Sequence, residues 1–211
     1  MTNIIDSLNW RYACKLFDNT KKVSKEDLEE IIEAFRLSTS AFGIQPWKLI
    51  VIENQEVKDS LVEYSWNQPQ INTCSHLLVL CRLTEIDDKL VDRYIEKMSE
   101  VRETSKEELS GYEQRVKSYI NDLSEDGKEY FSTKQVFIAL GNLIPVLAMK
   151  KIDSCAMTGI INSEYDRILN LKEKGLSSVA VLPIGYRSED DKYAKLKKVR
   201  FDREEVVEII S

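Results

Sequence analysis

At 211 residues, with 30 Lys and Arg against 36 Asp and Glu, the chain carries a formal net charge of −6, which argues against a general nucleic-acid surface. No run approaches the roughly 18 consecutive apolar residues of a membrane span, and Met1 to Trp10 lacks the basic-then-apolar order of a signal peptide. With His76 the only histidine, and with Cys14, Cys74, Cys81 and Cys155 forming no Cys-x-x-Cys pair, neither a Cys/His zinc site nor any other metal site is expected. The cysteines read as reduced core residues of a cytoplasmic protein. Glycine-rich nucleotide loops are absent, and a Ser-His-Asp hydrolase would have to use His76, which opens an apolar strand and reads as structural.

In chain order, Ile4, Ile5 and Leu8 share one face of a short docking helix. Arg11 to Asp18 reads as extended, which points Arg11, Ala13 and Lys15 to one side and Tyr12, Cys14 and Leu16 to the other. Ser24 begins a helix with a capping-box-like pattern, and Leu28, Ile31, Ile32 and Phe35 give it a buried stripe ending near Leu37. Ser38 to Trp47 follows, a stretch of small residues with one glycine and an X-Pro-aromatic. Its free backbone N–H groups would let a ligand approach the main chain. Pro46 should hold Gln45 extended.

Lys48 to Ile52 and Leu77 to Cys81 read as buried strands, with a short helix after Asn54 and an amide-rich loop from Tyr64 to Asn72. Residues 87–121 are highly charged, and Tyr94, Met98 and Val101, then Leu109, Tyr112, Val116 and Tyr119, mark two peripheral helices. These could form a solvated hairpin or a cover over a site. Thr133 to Lys150 is apolar nearly all round, hence buried centrally or between subunits, with Pro145 inside it. A short strand from Asp153 to Met157 leads to Thr158-Gly159. Ser163 and Asp166 suit the first turn of a helix through Leu171 that Gly175 closes. Ser178 to Ile184 is the best strand pattern in the chain. No repeat or linker divides residues 1–211, which read as one domain with a helical excursion.

The last segment carries Lys192, Lys195, Lys197, Lys198, Arg200 and Arg203. An extended Lys197 to Phe201 would aim Lys198 and Arg200 together and turn Val199 and Phe201 to the core. Each end of the chain thus offers a pair of cations on one side, suited to a phosphate group if the fold brings them together.

These segments, in this order, resemble one family. Arg11-x-x-x-Lys15-x-Phe17-Asp18, the small-residue loop ending Gln45-Pro46-Trp47, Gly141-Asn142 in an apolar helix, Lys172-Glu173-Lys174-Gly175 before a strand ending Pro183-x-Gly185, and Lys198-x-Arg200 together are similar to the FMN-dependent NAD(P)H nitroreductases over nearly the whole chain. The resemblance implies an α+β fold in which helices cover a mixed, largely antiparallel central sheet. It also implies an intertwined homodimer with FMN at the subunit interface. Arg11, Tyr12, Ala13, Lys15, Lys198 and Arg200 would hold the flavin from one chain, with Arg11, Lys198 and Arg200 at the phosphate and Lys15 at the pyrimidine edge. Asn67 and Gln70 would lie near that edge, the backbone of Thr158 and Gly159 near N5, and Thr39, Ser40, Ala41 and Gly43 at the partner's flavin.

The implied activity is ping-pong hydride transfer from NADH or NADPH, through FMN, to a small-molecule acceptor such as a nitroaromatic or quinone. No side chain need act as acid or base. A flavin-binding sensor or reservoir without fast turnover would need the same cations. The chain departs from its relatives at Thr39, Ala41 and Gly43, where many read Pro, Ser and Asn, and at Ala13, where a Ser is usual. It also has Thr158 in place of Glu and Gln70 in place of Lys. A neutral Gln70 should stabilise a reduced, anionic flavin less than a lysine would.

Overall fold

The computed structural model describes residues 3–210. Asn3 accepts the Ile5 amide and opens α1 (Ile4–Trp10); Ser24 accepts the Asp27 amide and opens α2 (Lys25–Arg36). There follow β1 (Trp47–Ile52), α3 (Gln55–Ser60, capped by Asn54), α4 (Gln70–Thr73) and β2 (His76–Leu83). Next come α5 (Asp88–Arg102), α6 (Lys106–Asn121), α7 (Glu125–Met149), β3 (Asp153–Ser154), α8 (Asn162–Ile168), β4 (Leu176–Gly185) and α9 (Arg203–Val206). The four strands form one antiparallel sheet in the order β1-β2-β4-β3.

The central position of β2 explains its unbroken apolar run, because both of its faces are covered. Leu77, Val79 and Cys81 pack with Ile71, Tyr165 and Val181 on one side. Leu78 and Leu80 face the other side, against Ile31 and Phe35 of α2 and Leu140, Leu143 and Leu147 of α7. His76 is structural: its Nδ1 lies 2.9 Å from Ser75 Oγ, which also accepts the Val23 amide, and its Nε2 lies 3.4 Å from Glu53. Lys58 of α3 is fully buried, and its ammonium donates to the carbonyls of Cys74 and Ser75 just ahead of β2.

Several elements differ from their sequence reading. α7 begins at Glu125 rather than Thr133, because Ser124 caps it. By length and composition it could cross a membrane, yet half of that segment is buried, packed on α2 and the sheet. Phe137, Ile138 and Met149 nonetheless stay exposed on it, as do Ile4, Ile5 and Leu8 of α1. The amide-rich loop contains the helical turn Glu63–Ser65 and α4. α8 ends at Ile168, and Asp166 does not serve its first turn but accepts from the Ser178 amide and Ser177 Oγ.

The excursion is neither a free hairpin nor a detached cover. Leu90, Val91, Ile95, Val116 and Ile120 build a third core with Ile44 and Phe131, which leaves Val101 exposed. That core grips the loop after α2. Phe42 rests on Tyr119, its carbonyl accepts from Tyr112 Oη (2.8 Å), and the Ala41 amide donates to Gln135 Oε1 (2.8 Å). Gln45 is not extended but has φ +46°. Its amide donates to Ser40 Oγ and its side-chain Nε2 to the Arg36 carbonyl, and these bonds outweigh the preference imposed by Pro46.

Candidate functional site

Residues 11–18 dock along the β3 edge of the sheet. Ala13 bridges Ser154, Phe17 bridges Arg187, and the amide of Asp18 donates to the Tyr186 carbonyl (2.8 Å). The chain beyond β4 returns over the same edge, and the Lys198 ammonium donates to the Arg11 carbonyl. A cavity of about 380 Å³ lies between the two segments. Arg11, Tyr12, Ala13, Lys15, Lys198 and Arg200 all line it. The two ends of the chain, nearly 190 residues apart in sequence, therefore supply one site.

The site is electropositive and uncompensated. Burial and then the nearby charge of Arg200 lower the pKa of Arg11; burial, then Arg11 and Arg200, lower that of Lys198. Among the described residues none of Arg11, Lys15, Lys198 and Arg200 has a carboxylate partner, whereas many of the chain's other cations do. Arg11 Nε is buried without a hydrogen-bond acceptor. Three converging cations that repel one another, one of them with an unused donor, suit a bound dianion.

Lys15 leads away from the cations. Its Nζ lies 3.6 Å from Cys155 Sγ, and Gln70 Nε2 lies 3.9 Å from the same sulfur. Burial pushes the Cys155 thiol up while Lys15 pulls it down. Gln70 is fully buried, with Nε2 on Gln68 Oε1 (2.6 Å) and Oε1 unpartnered. Farther along the same segment Thr158 is exposed, and neither Thr158 nor Gly159 donates a backbone hydrogen bond among the described residues. The Trp66 ring covers Gly159 so closely that a Cβ there would stand 3.3 Å from it. Trp66 and the exposed Asn67 both adopt left-handed backbone, φ +56° and +54°. Two such residues in succession are costly and cluster at ligand sites.

The remaining site residues lie apart from this group within the chain. Of Thr39, Ser40, Ala41 and Gly43, Ala41 packs against the third core and Gly43 against Tyr94 of the excursion. The expectation of free main-chain donors fails in half of this loop, since the Ala41 amide is taken by Gln135 and that of Gly43 by the Ser40 carbonyl. Thr39 and Ser40 alone of the four donate no backbone hydrogen bond among the described residues. Gly43 is required by packing: it has φ +74°, and a Cβ would stand 2.2 Å from Tyr94 Oη. Gly43→Ala should lower stability by roughly 1–3 kcal/mol, read as a shift of the urea midpoint.

Two further observations concern the cation-bearing segments. Tyr12 lines the same cavity as Arg11 and Lys15, while its hydroxyl donates to Asp191 (2.8 Å). Val199 and Phe201 do not enter the core; both are largely exposed.

Sequence reasoning passed over Trp10, Arg187 and Asp191. Arg187 pairs in bidentate fashion with the buried Asp153 and lies over the rings of Trp10 and Tyr12, 4.4 and 4.6 Å from their centroids. Asp191 accepts from Tyr12 Oη and the amides of Lys15, Leu16 and Tyr193. The only local signal for Asp191 was an acid just ahead of a basic helical turn, which fits a simple cap equally well.

Comparison with known proteins gives this geometry a family. A model described as the nitroreductase family matches residues 8–186. YfkO of Bacillus subtilis (strain 168), which carries the name of an NAD(P)H nitroreductase, is 37% identical over 200 residues, covering 90% of each chain. SAB2397c of Staphylococcus aureus (strain bovine RF122 / ET3-1), named likewise, is 33% identical over 211 residues, covering 94% of this chain and 93% of its own. Among solved structures, the nitroreductase ydfN of Bacillus subtilis superposes with a TM-score of 0.87 at 22% identity, covering 98% of both chains. A nitroreductase from Exiguobacterium sibiricum 255-15, solved in complex with FMN, gives 0.84 at 18% identity, covering 100% and 98%. The chain belongs to the nitroreductase family, a family of NAD(P)H-dependent flavin oxidoreductases.

Proposed function

We propose that this protein binds FMN and uses NADH or NADPH to reduce a small organic acceptor, such as a nitroaromatic or a quinone, in ping-pong order. The observation that carries the reading is the convergence at one cavity of Arg11, Lys198 and Arg200, which have no carboxylate partner among the described residues. The names of the relatives and the FMN complex of a structural neighbour support the same reading. Bound FMN would supply the capacity to take a hydride from the nicotinamide and pass it on.

The chain's own residues would position and bias the group. Arg11, Lys198 and Arg200 would neutralise the phosphate. Lys15, held beside Cys155, would present a cation to the polar edge of the ring, and the buried Gln70 Oε1 offers an unused acceptor next to it. The unpartnered amides of Thr158 and Gly159 would offer main-chain donors that survive the change from Glu to Thr. The Trp66 indole, largely exposed over Gly159, would bound the space open to nicotinamide and acceptor.

The reading includes a homodimer. The exposed apolar side chains of α1 and α7, together with Val199, Phe201, Ile209 and Ile210 of the tail, find no cover in this chain. β1 is an edge strand, and a groove of about 720 Å³ runs beside it, lined by Phe35, Trp47 and Leu90. A second copy would cover these surfaces, and its residues 39–43 would complete the flavin site.

The deciding experiment is an absorption spectrum of the protein as isolated, followed by anaerobic addition of NADPH or NADH. A yellow protein that bleaches within seconds supports the enzyme. A colourless protein that also refuses added FMN refutes flavin binding, and flavin that stays oxidised refutes the reductase.

A further inference from the structure

The geometry points to Asp191 as the residue that positions the phosphate-binding cations, by tying the two cation-bearing segments to each other. This rests on the FMN reading above and adds to it a residue that touches no ligand.

Asp191 is 2% exposed, yet forms no ion pair among the described residues. Its carboxylate is satisfied by neutral donors. Oδ2 accepts from Tyr12 Oη at 2.8 Å, the Lys15 amide at 2.8 Å and the Leu16 amide at 3.3 Å; Oδ1 accepts from the Tyr193 amide at 3.0 Å. Three of these donors belong to the Arg11–Leu16 segment. The fourth lies in the helical turn Lys192–Lys195 that leads to Lys198 and Arg200. One side chain thus sets the register between segments nearly 180 residues apart in sequence.

Two features make this more than a generic cap. First, the cations repel one another, so their convergence needs a restraint that does not cancel their charge. A carboxylate placed among them would pair with them and compete with a phosphate. Asp191 instead spends its lone pairs on amides and a hydroxyl, and Arg11, Lys198 and Arg200 have no acidic partner among the described residues. Second, the restraint acts on both sides of the cavity. Tyr12, held by Asp191 at its hydroxyl, carries Arg187 on its ring, and Arg187 is locked to Asp153 at the start of β3. The cavity wall is therefore referenced to the sheet rather than to the mobile length of two lysine and arginine side chains.

Asparagine at position 191 cannot reproduce the arrangement. An amide has one oxygen and a nitrogen that only donates. With the oxygen toward Lys15 and Leu16, the nitrogen faces the Tyr193 amide, donor against donor; reversed, it faces two amides.

The test compares FMN with riboflavin, which lacks the phosphate. Full-length protein stripped of flavin is titrated with each, following quenching of flavin fluorescence, for the wild type, Asp191→Asn and Tyr12→Phe. The expected result for Asp191→Asn is an FMN Kd raised by about tenfold, with the riboflavin Kd nearly unchanged, so that the preference for FMN collapses. Tyr12→Phe, which deletes one of the four bonds and keeps the ring, should narrow the preference by less, and it decides the matter if Asp191→Asn does not fold. A variant that keeps the wild-type ratio overturns the inference, whether both affinities fall together or neither moves. A wild type that binds riboflavin as tightly as FMN overturns the phosphate site itself, and the role of Asp191 with it.

Discussion

Replacing Arg187 by methionine is expected to cost about 3–5 kcal/mol of folding stability, the usual consequence of removing one partner from a buried ion pair. Asp153 is 3% exposed, and three of its four hydrogen bonds come from the Arg187 side chain. Methionine fills most of the volume but leaves that carboxylate with the backbone amide of position 187 alone. The same change removes the cation from the rings of Trp10 and Tyr12, and so unfastens the end of α1 and the start of the Arg11 segment. Urea unfolding followed by tryptophan fluorescence measures the loss. A change under about 1 kcal/mol would mean that Asp153 finds another partner and that the pair does not anchor the site. Arg187→Lys should recover only part of the stability, because an ammonium cannot reproduce the bidentate contact.

Arg200→Ala should weaken FMN binding by roughly 1.5–3 kcal/mol, the range for a hydrogen bond to a charged group, with almost no effect on folding. The separation is possible because, among the described residues, the Arg200 side chain makes one hydrogen bond, to the neighbouring Val199 carbonyl. Its effect on the fold is confined to crowding Arg11 and Lys198. Equilibrium titration at low and high salt gives two checks. The loss should shrink as salt screens the phosphate contact, and unchanged affinity at low salt would remove Arg200 from the site. Arg11→Ala is a less clean probe, because that side chain is partly buried and its Nε already lacks an acceptor.

Much of the fold was legible residue by residue. The cap at Ser24, the stripe on α2, the apolar runs of β2 and β4, and the pair of excursion helices follow from periodicity and local hydrogen bonding, which act over a few residues. The start of α7 was missed because Glu125 to Ser132 is too polar to show the apolar pattern that marks the rest. Gln45 was misread because a local preference lost to bonds from Ser40 and Arg36. The excursion looked solvated because its buried residues, Leu90, Val91 and Ile95, do not follow the stripe that begins at Tyr94.

What the sequence determined by itself is the material of the site: cations at both ends of an acidic chain, a segment order shared with one family, and a single histidine, which suits chemistry that a cofactor supplies. Only the tertiary structure decided that Arg11, Lys198 and Arg200 meet, that Asp191 and Arg187 tie the cation segments to each other and to the sheet, and that Gly43 serves Tyr94. It also turned Val199 and Phe201 outward, away from any core this chain provides. The reason is range. Capping, periodicity and turn chemistry are contained in a window of a few residues, whereas a charge-paired or hydrogen-bonded contact across nearly 180 positions exists only after the sheet has brought its edges together.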